Sequence, residues 1–113
     1  MSEELLTQIS IEDFAKVQMR VGQVLEAEKI EGSRKLIRLK VDIGTEVRQV
    51  VAGIAEAYEP ASLINRKVVI VANLKPAKLM GFESRGMLLA TDTEEGLTLL
   101  GFDRPPKTGA KIH

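Results

Sequence analysis

The chain has 113 residues, with 16 basic and 16 acidic side chains and a net charge of zero. It has no cysteine, which excludes disulfides, thiolate nucleophiles and cysteine-ligated zinc. Its one histidine, His113, is the last residue, where a catalytic imidazole is not held rigidly. We therefore expect one small domain that is not an enzyme and carries no metal and no cofactor.

The apolar residues are too dispersed for a membrane-spanning segment. The longest apolar run, from Val68 to Ala72, has five residues, whereas a spanning helix needs about 20. The acidic start Met-Ser-Glu-Glu lacks the features of a secretory signal. The sequence therefore predicts a soluble, cytoplasmic protein with no membrane contact.

The first predicted element is a short helix over residues 11 to 16. Ser10 and Asp13 resemble a capping box at its start. From Val17 the apolar residues alternate as in a strand, and Gly22 shifts their parity. A glycine that shifts parity inside a strand indicates a bulge or a sharp bend, which lets one strand serve both halves of a small barrel.

The next segments predict a hairpin followed by a broken helical connection. Residues 37 to 43 alternate between apolar and polar, as in a half-buried strand. Residues 46 to 52, entered through a Gly-Thr pair, are expected to pair with it. Residues 54 to 63 contain good helix formers interrupted at Pro60, which can begin a new turn.

The second half of the chain predicts two further strands. Residues 67 to 74 form a β-branched run typical of a central strand that is buried on both faces. Residues 75 to 84 are expected to form a loop and residues 86 to 92 the next strand, with a turn at 93 to 96 leading into 97 to 100. The tail, 101 to 113, contains Pro105, Pro106 and Gly109 and is expected to be extended or looped.

This order of three strands, a short helix and two strands is that of the OB-fold. The predicted fold class is all-β with short helices, in a five-stranded Greek-key barrel. We expect an N-terminal arm over residues 1 to 10 and the barrel with a C-terminal extension over 11 to 113. OB-folds bind oligonucleotides or oligosaccharides with strands 2 and 3 and with the loops L12, between strands 1 and 2, and L45, between strands 4 and 5.

The basic residues concentrate at these binding positions despite the zero net charge. Residues 15 to 50 hold eight bases and five acids, a net +3, and residues 65 to 85 hold five bases and one acid, a net +4. The cations fall in L12 (Arg34 and Lys35), in strands 2 and 3 (Arg38, Lys40 and Arg48) and in L45 (Lys75, Lys78 and Arg85). The OB-fold arrangement therefore predicts that two basic zones meet on one face.

Four motifs of the chain are distinctive: Met-Arg-Val-Gly at 19 to 22, Ser-Arg-Lys-Leu at 33 to 36, Asn-Leu-Lys-Pro-Ala-Lys at 73 to 78 and Ser-Arg-Gly-Met at 84 to 87. Together they resemble the tRNA-binding domain appended to methionyl-tRNA synthetases. The same domain recurs in free-standing structure-specific tRNA-binding proteins and in the endothelial monocyte-activating polypeptide group. The resemblance covers residues 11 to 112. The segment from Asn73 to Met87 is its most specific part.

The resemblance implies a non-catalytic dimer that grips the outer corner of tRNA and assists methionyl-tRNA synthetase, in trans or as its appended domain. Carried over by motif, the binding pocket includes Asn73, Lys78, Ser84 and Met87, with Lys35 and Lys75 beside it. Arg38, in strand 2, and Arg85, in L45, are further candidate tRNA-binding residues, because OB-folds bind their ligands with these parts of the barrel. Glu83 and Arg85, which flank Ser84, depart from the family pattern.

Each pocket residue also has a purely structural interpretation. Lysines suit phosphates, and the hydroxyl of Ser84 and the amide of Asn73 can bond RNA hydroxyls. Ser84 can equally begin the fifth strand, Asn73 can end the fourth, and Met87 can lie in the core. For Met87 both interpretations stay open.

Two other binding functions compete with the tRNA-binding function. A bacterial secretion-related chaperone shares this fold and binds unfolded peptides, and it is the alternative function. A generic single-strand binder needs aromatic stacking platforms, and of the four aromatic residues only Phe82 falls in a binding loop.

The N-terminal arm predicts a homodimer. Leu5, Leu6 and Ile9 lie in an otherwise polar segment, which suggests a surface that meets a partner. We expect the dimer contacts to involve this arm and the tail after Leu100.

Overall fold

The computed structural model describes residues 7–113. It contains two short helices, α1 (Ile11–Ala15) and α2 (Pro60–Leu63). The strands are β1 (Met19–Lys29), β2 (Ile37–Asp42), β3 (Val47–Ala52), β4 (Lys67–Val71), β5 (Ala77–Leu79), β6 (Phe82–Ser84), β7 (Met87–Leu88), β8 (Ala90–Thr93), β9 (Gly96–Leu99) and β10 (Lys111–Ile112). The predicted all-β class with short helices is confirmed.

The predicted N-terminal helix is confirmed, together with its cap. Ser10 has an extended backbone, and its hydroxyl accepts a hydrogen bond from the backbone N–H of Asp13 at 3.0 Å. This bond satisfies one of the free donors at the start of α1. The helix buries none of its own residues.

The long strand β1 serves both halves of the sheet, as predicted. Its first part, Met19 to Gln23, pairs with β4, and its second part, from Gln23 to Lys29, pairs with β2. Of the bulge or sharp bend predicted at Gly22, the bulge is wrong at that residue: Gly22 pairs in register with Val68, and the register shift lies between Val24 and Glu26. Gly22 meets a packing constraint: a Cβ at this position would lie 2.6 Å from Cγ1 of Val41.

The strands form a curled antiparallel sheet of the OB type. The hydrogen-bonded order is β3-β2-β1-β4-β7, and β10 pairs with β1. The sheet encloses one core, to which α2 contributes Leu63. Burial of each large aliphatic side chain contributes about 1.5–3 kcal/mol. The most deeply buried are Ile37, Leu39, Leu63, Ile70, Val24, Val41, Val50 and Val68.

The tail differs from its predicted loop at one point. Lys111 and Ile112 form β10, which pairs with Arg20 and Met19 at the start of β1. Gly109 makes this possible, because its φ of +88° and its close approach to Gly44 exclude a side chain. The prediction from the prolines was therefore right for residues 101 to 110 and missed the short strand that follows.

In the part of the chain that the structure describes, no helix is long and apolar enough to cross a membrane.

Candidate nucleic-acid interface

The connection between β4 and β7 folds into a second hairpin, which corrects the predicted loop over residues 75 to 84. Strands β5 and β6 pair Ala77 with Ser84, Lys78 with Glu83 and Leu79 with Phe82. The turn residues Met80 and Gly81 have φ values of 52° and 84°. Positive φ at both central residues is characteristic of a type I′ turn, whose twist matches that of the flanking strands.

The β5–β6 hairpin and Arg85, which follows it, are joined to strand β3 by hydrogen bonds. The N–H of Arg85 donates to the carbonyl of Gln49 at 2.8 Å, and Nε2 of Gln49 donates to the carbonyl of Glu83 at 2.9 Å. The N–H of Val51 donates to Oγ of Ser84 at 2.9 Å. The returning arm of the hairpin therefore lies along β3 and brings the second basic zone against the first.

Ser84 is a buried anchor of this arrangement. It is 5% exposed, and its hydroxyl also donates to the carbonyl of Gly86 at 3.2 Å. The hydroxyl of Ser84 thus both accepts and donates a hydrogen bond inside the protein, and it joins the hairpin to β3.

Two arginines expected on the open outer face of strands 2 and 3 lie beneath the hairpin region. The guanidinium of Arg38 lies 4.9 Å from the centre of the Phe82 ring and is paired with Glu28. Arg48 is 17% exposed and donates to the backbone carbonyls of Ala72 and Arg85. These cations are engaged in protein contacts, which moves the accessible positive charge outward onto the hairpin.

Asn73 fixes the start of the connection. Its Oδ1 accepts from the N–H of Gln18 at 2.9 Å, and its Nδ2 donates to the carbonyl of Lys16 at 2.6 Å. The side chain therefore joins the end of β4 to the segment between α1 and β1.

The exposed candidates cluster on and around the hairpin. Lys75 and Lys78 are exposed, and Met87 is 48% exposed. Arg85 is half-exposed and lies 3.4 Å from Oε1 of Glu46. Glu83 stands directly opposite Lys78. The hairpin and the residues at its base therefore present two lysines, Lys75 and Lys78, and one carboxylate to solvent, together with exposed apolar side chains.

Lys35 occupies a different setting from the other predicted residues. It is exposed and lines a cleft of about 590 Å³ together with Glu56, Asp92 and Glu95. These three carboxylates disfavour the approach of a phosphate on that side of the lysine. The structure thus brings Arg38, Asn73, Lys75, Lys78, Ser84, Arg85 and Met87 to the hairpin region and leaves Lys35 in this cleft.

The role of β3 in holding the hairpin was not predicted from the sequence. Gln49 and Arg48 contribute through contacts with main-chain carbonyls 24 to 37 residues away. Such contacts leave no periodicity or spacing in the sequence. The pairing of Lys78 with Glu83 was equally hidden, because the three-residue arms are too short to predict a strand.

A small OB-type barrel with an exposed, lysine-bearing hairpin is typical of a module that binds another molecule, such as an oligonucleotide. The family model described as "Putative tRNA binding domain" matches residues 19–111. The chain belongs to this tRNA-binding domain family, as its motifs predicted.

The relatives agree with this assignment. The chain is 54% identical over 110 residues to a methionine–tRNA ligase from Caldanaerobacter subterraneus, covering 97% of the chain and 17% of the ligase. It therefore spans about a sixth of that relative.

Two solved structures share the fold over full-length chains. The MetRS-related protein from Pyrococcus horikoshii is 41% identical with a TM-score of 0.89, and the match covers 96% of this chain and all of that one. The chaperone CsaA from Bacillus anthracis is 30% identical with a TM-score of 0.84, covering 95% of this chain and all of that one.

Proposed function

We propose that this domain binds tRNA by shape at its outer corner, through the β5–β6 hairpin and the residues at its base. The observation that carries the proposal is the exposed pair of Lys78, on the hairpin, and Lys75, at its base, with the hairpin held in place by β3. A fixed frame matters because folded RNA is recognised mainly by shape, phosphates and 2′-hydroxyls.

The residues of the hairpin region divide into two roles. Lys75, Lys78 and Arg85 neutralise phosphates, and Met87 lies against an exposed base. The other three residues hold the hairpin region in position, since their polar groups are bonded within the protein: Ser84, Asn73 and Arg38. Lys35 adds a weaker and more distant phosphate contact, because the three carboxylates of its cleft oppose the approach of a phosphate.

The domain assists methionyl-tRNA synthetase in the cytoplasm, either as a part of the synthetase chain or in trans. The identity of 54% to a segment of a methionine–tRNA ligase supports this partner. The match along the whole of the MetRS-related protein supports the free-standing form as well. In both forms the domain raises the local concentration of tRNA at the enzyme.

The domain acts as a homodimer through an apolar surface around α1. Ile11 is 73% exposed, Val17 43% and Phe14 38%. Together with Ile112 they line a mainly apolar cavity of about 560 Å³. Ile9, in the arm, is 65% exposed, while Leu5 and Leu6 lie outside the described residues. A second copy of the chain covers this surface.

A salt series tests the tRNA proposal. Each phosphate contact contributes a slope of about −0.9 to log affinity against log salt concentration. Lys78→Ala should therefore weaken the binding of every tRNA alike and flatten the slope by about one unit. The matched control is Lys107→Ala, because Lys107 is exposed in the tail. Unchanged affinity in both Lys78→Ala and Ser84→Ala at moderate salt would exclude the hairpin as the binding site.

Binding of unfolded peptides is the second candidate function. Exposed apolar side chains on the hairpin favour it, with Leu79 39% and Met80 55% exposed, as does the likeness to a chaperone. Competition between tRNA and an unfolded peptide at equal salt separates the two. We expect tRNA to displace the peptide, and the reverse order of affinities would favour the chaperone function.

A further inference from the structure

Arg48 lies where the two ends of the hairpin connection come together. Its Nη1 donates to the carbonyl of Ala72, where the connection begins, and to that of Arg85, where it ends, at 3.4 Å. Its Nε lies 3.2 Å from Oε1 of Glu46, which also pairs with Arg85. One guanidinium thus joins both ends of the connection to β3.

A guanidinium suits this position better than an ammonium. It holds its donors in a rigid planar fork, so it can serve the two carbonyls and the carboxylate together. A lysine provides the same charge on a flexible stem and cannot reproduce that geometry. With 17% of its side chain exposed, Arg48 is also poorly placed to reach a phosphate.

We propose that Arg48 is a positioning residue, which closes the base of the β5–β6 hairpin and thereby sets where Lys75 and Lys78 meet RNA. This proposal rests on the proposed function for its consequence in binding. The hydrogen bonds from Arg48 to both ends of the connection, which form the Arg48 clamp, are a property of the free protein. They can be tested without RNA.

Hydrogen exchange of the RNA-free protein tests the clamp directly. In Arg48→Lys the backbone amides of residues 75 to 86 should exchange about tenfold faster, because exchange follows the population of the open segment. Peptides from β2 should keep their rates, which distinguishes local opening from global unfolding. Arg104→Gln is the control, since Arg104 is exposed in the tail. Unchanged exchange of the hairpin in both Arg48→Lys and Arg48→Gln would overturn the proposal.

Binding measurements separate positioning from direct contact. Arg48→Lys and Arg48→Gln should both weaken tRNA binding about tenfold, since each removes hydrogen bonds made by a charged group. The loss caused by Lys78→Ala should be smaller in the Arg48→Gln background, because residues that act together are not additive. Full affinity in Arg48→Lys would show that Arg48 acts by charge alone. Additive losses would show that Arg48 acts independently of Lys78. Either result would overturn the proposal.

The two proposals fail in distinguishable ways. Faster exchange of the hairpin in Arg48→Lys supports the clamp whether or not RNA binds. If the unmodified protein shows no preference for tRNA over single-stranded DNA, the proposed function fails while the clamp stands.

Discussion

Lys78 and Glu83 form a cross-strand pair on the exposed face of the β5–β6 hairpin. Directly opposed side chains in an antiparallel pair have Cβ atoms about 4.5–5.5 Å apart, close enough for opposite charges to interact. Glu83 therefore competes with a phosphate for Lys78.

Replacing Glu83 with Gln should strengthen tRNA binding by about 1.4- to 5-fold at low salt, since a cross-strand charge pair contributes roughly 0.2–1 kcal/mol. The gain should shrink as salt screens the charges. Filter binding across a salt series measures both effects. Asp103→Asn removes an exposed carboxylate from the tail and should give a smaller change. Equal gains in the two variants would assign the effect to net charge.

At the scale of elements, the hairpin depends on strand β3 for its position. The hairpin and Arg85, which follows it, are hydrogen-bonded to β3, and one of these bonds uses the buried hydroxyl of Ser84. The isolated hairpin, with arms of three residues each, is too short to be stable in water on its own. Its geometry is therefore set by tertiary contacts.

The variant Ser84→Ala should lower the free energy of unfolding by about 1–3 kcal/mol, because the buried N–H of Val51 loses its acceptor. Urea denaturation measures this change. Binding of tRNA should also weaken while its salt slope stays the same, since no charge is removed. Ser62→Ala is the matched control, because the hydroxyl of Ser62 bonds a carbonyl at an exposed site. A stability within 0.5 kcal/mol of the parent, roughly the range of surface substitutions, would contradict the anchoring role.

The long alternating segments predicted their elements well, and the short ones did not. Residues 37 to 43 alternate with period two, and residues 46 to 52 are rich in valine and follow a Gly-Thr turn. These signals predict β2 and β3 within one residue at each end. The hairpin has two three-residue arms and a Met-Gly turn, none of which is a strong signal. Gly22 predicted a local irregularity, yet a glycine is required there because a side chain would collide with Val41 on another strand. Local pattern cannot report such a contact.

The same distinction applies to the candidate site. Residue type and motif selected the segment from Asn73 to Met87, which the structure folds around one hairpin. The division into exposed lysines and engaged side chains was not predictable, because it depends on which carbonyls lie near each polar group. That information exists only after the sheet has closed.

At the scale of the whole molecule, the apolar surface around α1 determines the expected assembly. Phe14→Asp should convert the proposed dimer to a monomer, since it places a charge in a dehydrated interface. Sedimentation at micromolar concentration measures the mass. Ala61→Asp, on the exposed side of α2, is the control and should remain dimeric. A monomeric mass for the unmodified protein would refute the dimer.

The pairing of β10 with β1 brings the two ends of the barrel side by side. Met19 faces Ile112 in the sheet, and Ile11 and His113 line one cavity. A domain whose ends are adjacent can be circularly permuted or inserted into a loop of another protein. A permutant that joins His113 to Ser10 by a short flexible linker, and opens at the exposed turn between Glu94 and Glu95, should keep its thermal midpoint within a few degrees. Its tRNA affinity should also be retained, because the cut leaves the hairpin and β3 intact, whereas a loss of cooperative melting would show that the β8–β9 turn is needed for folding.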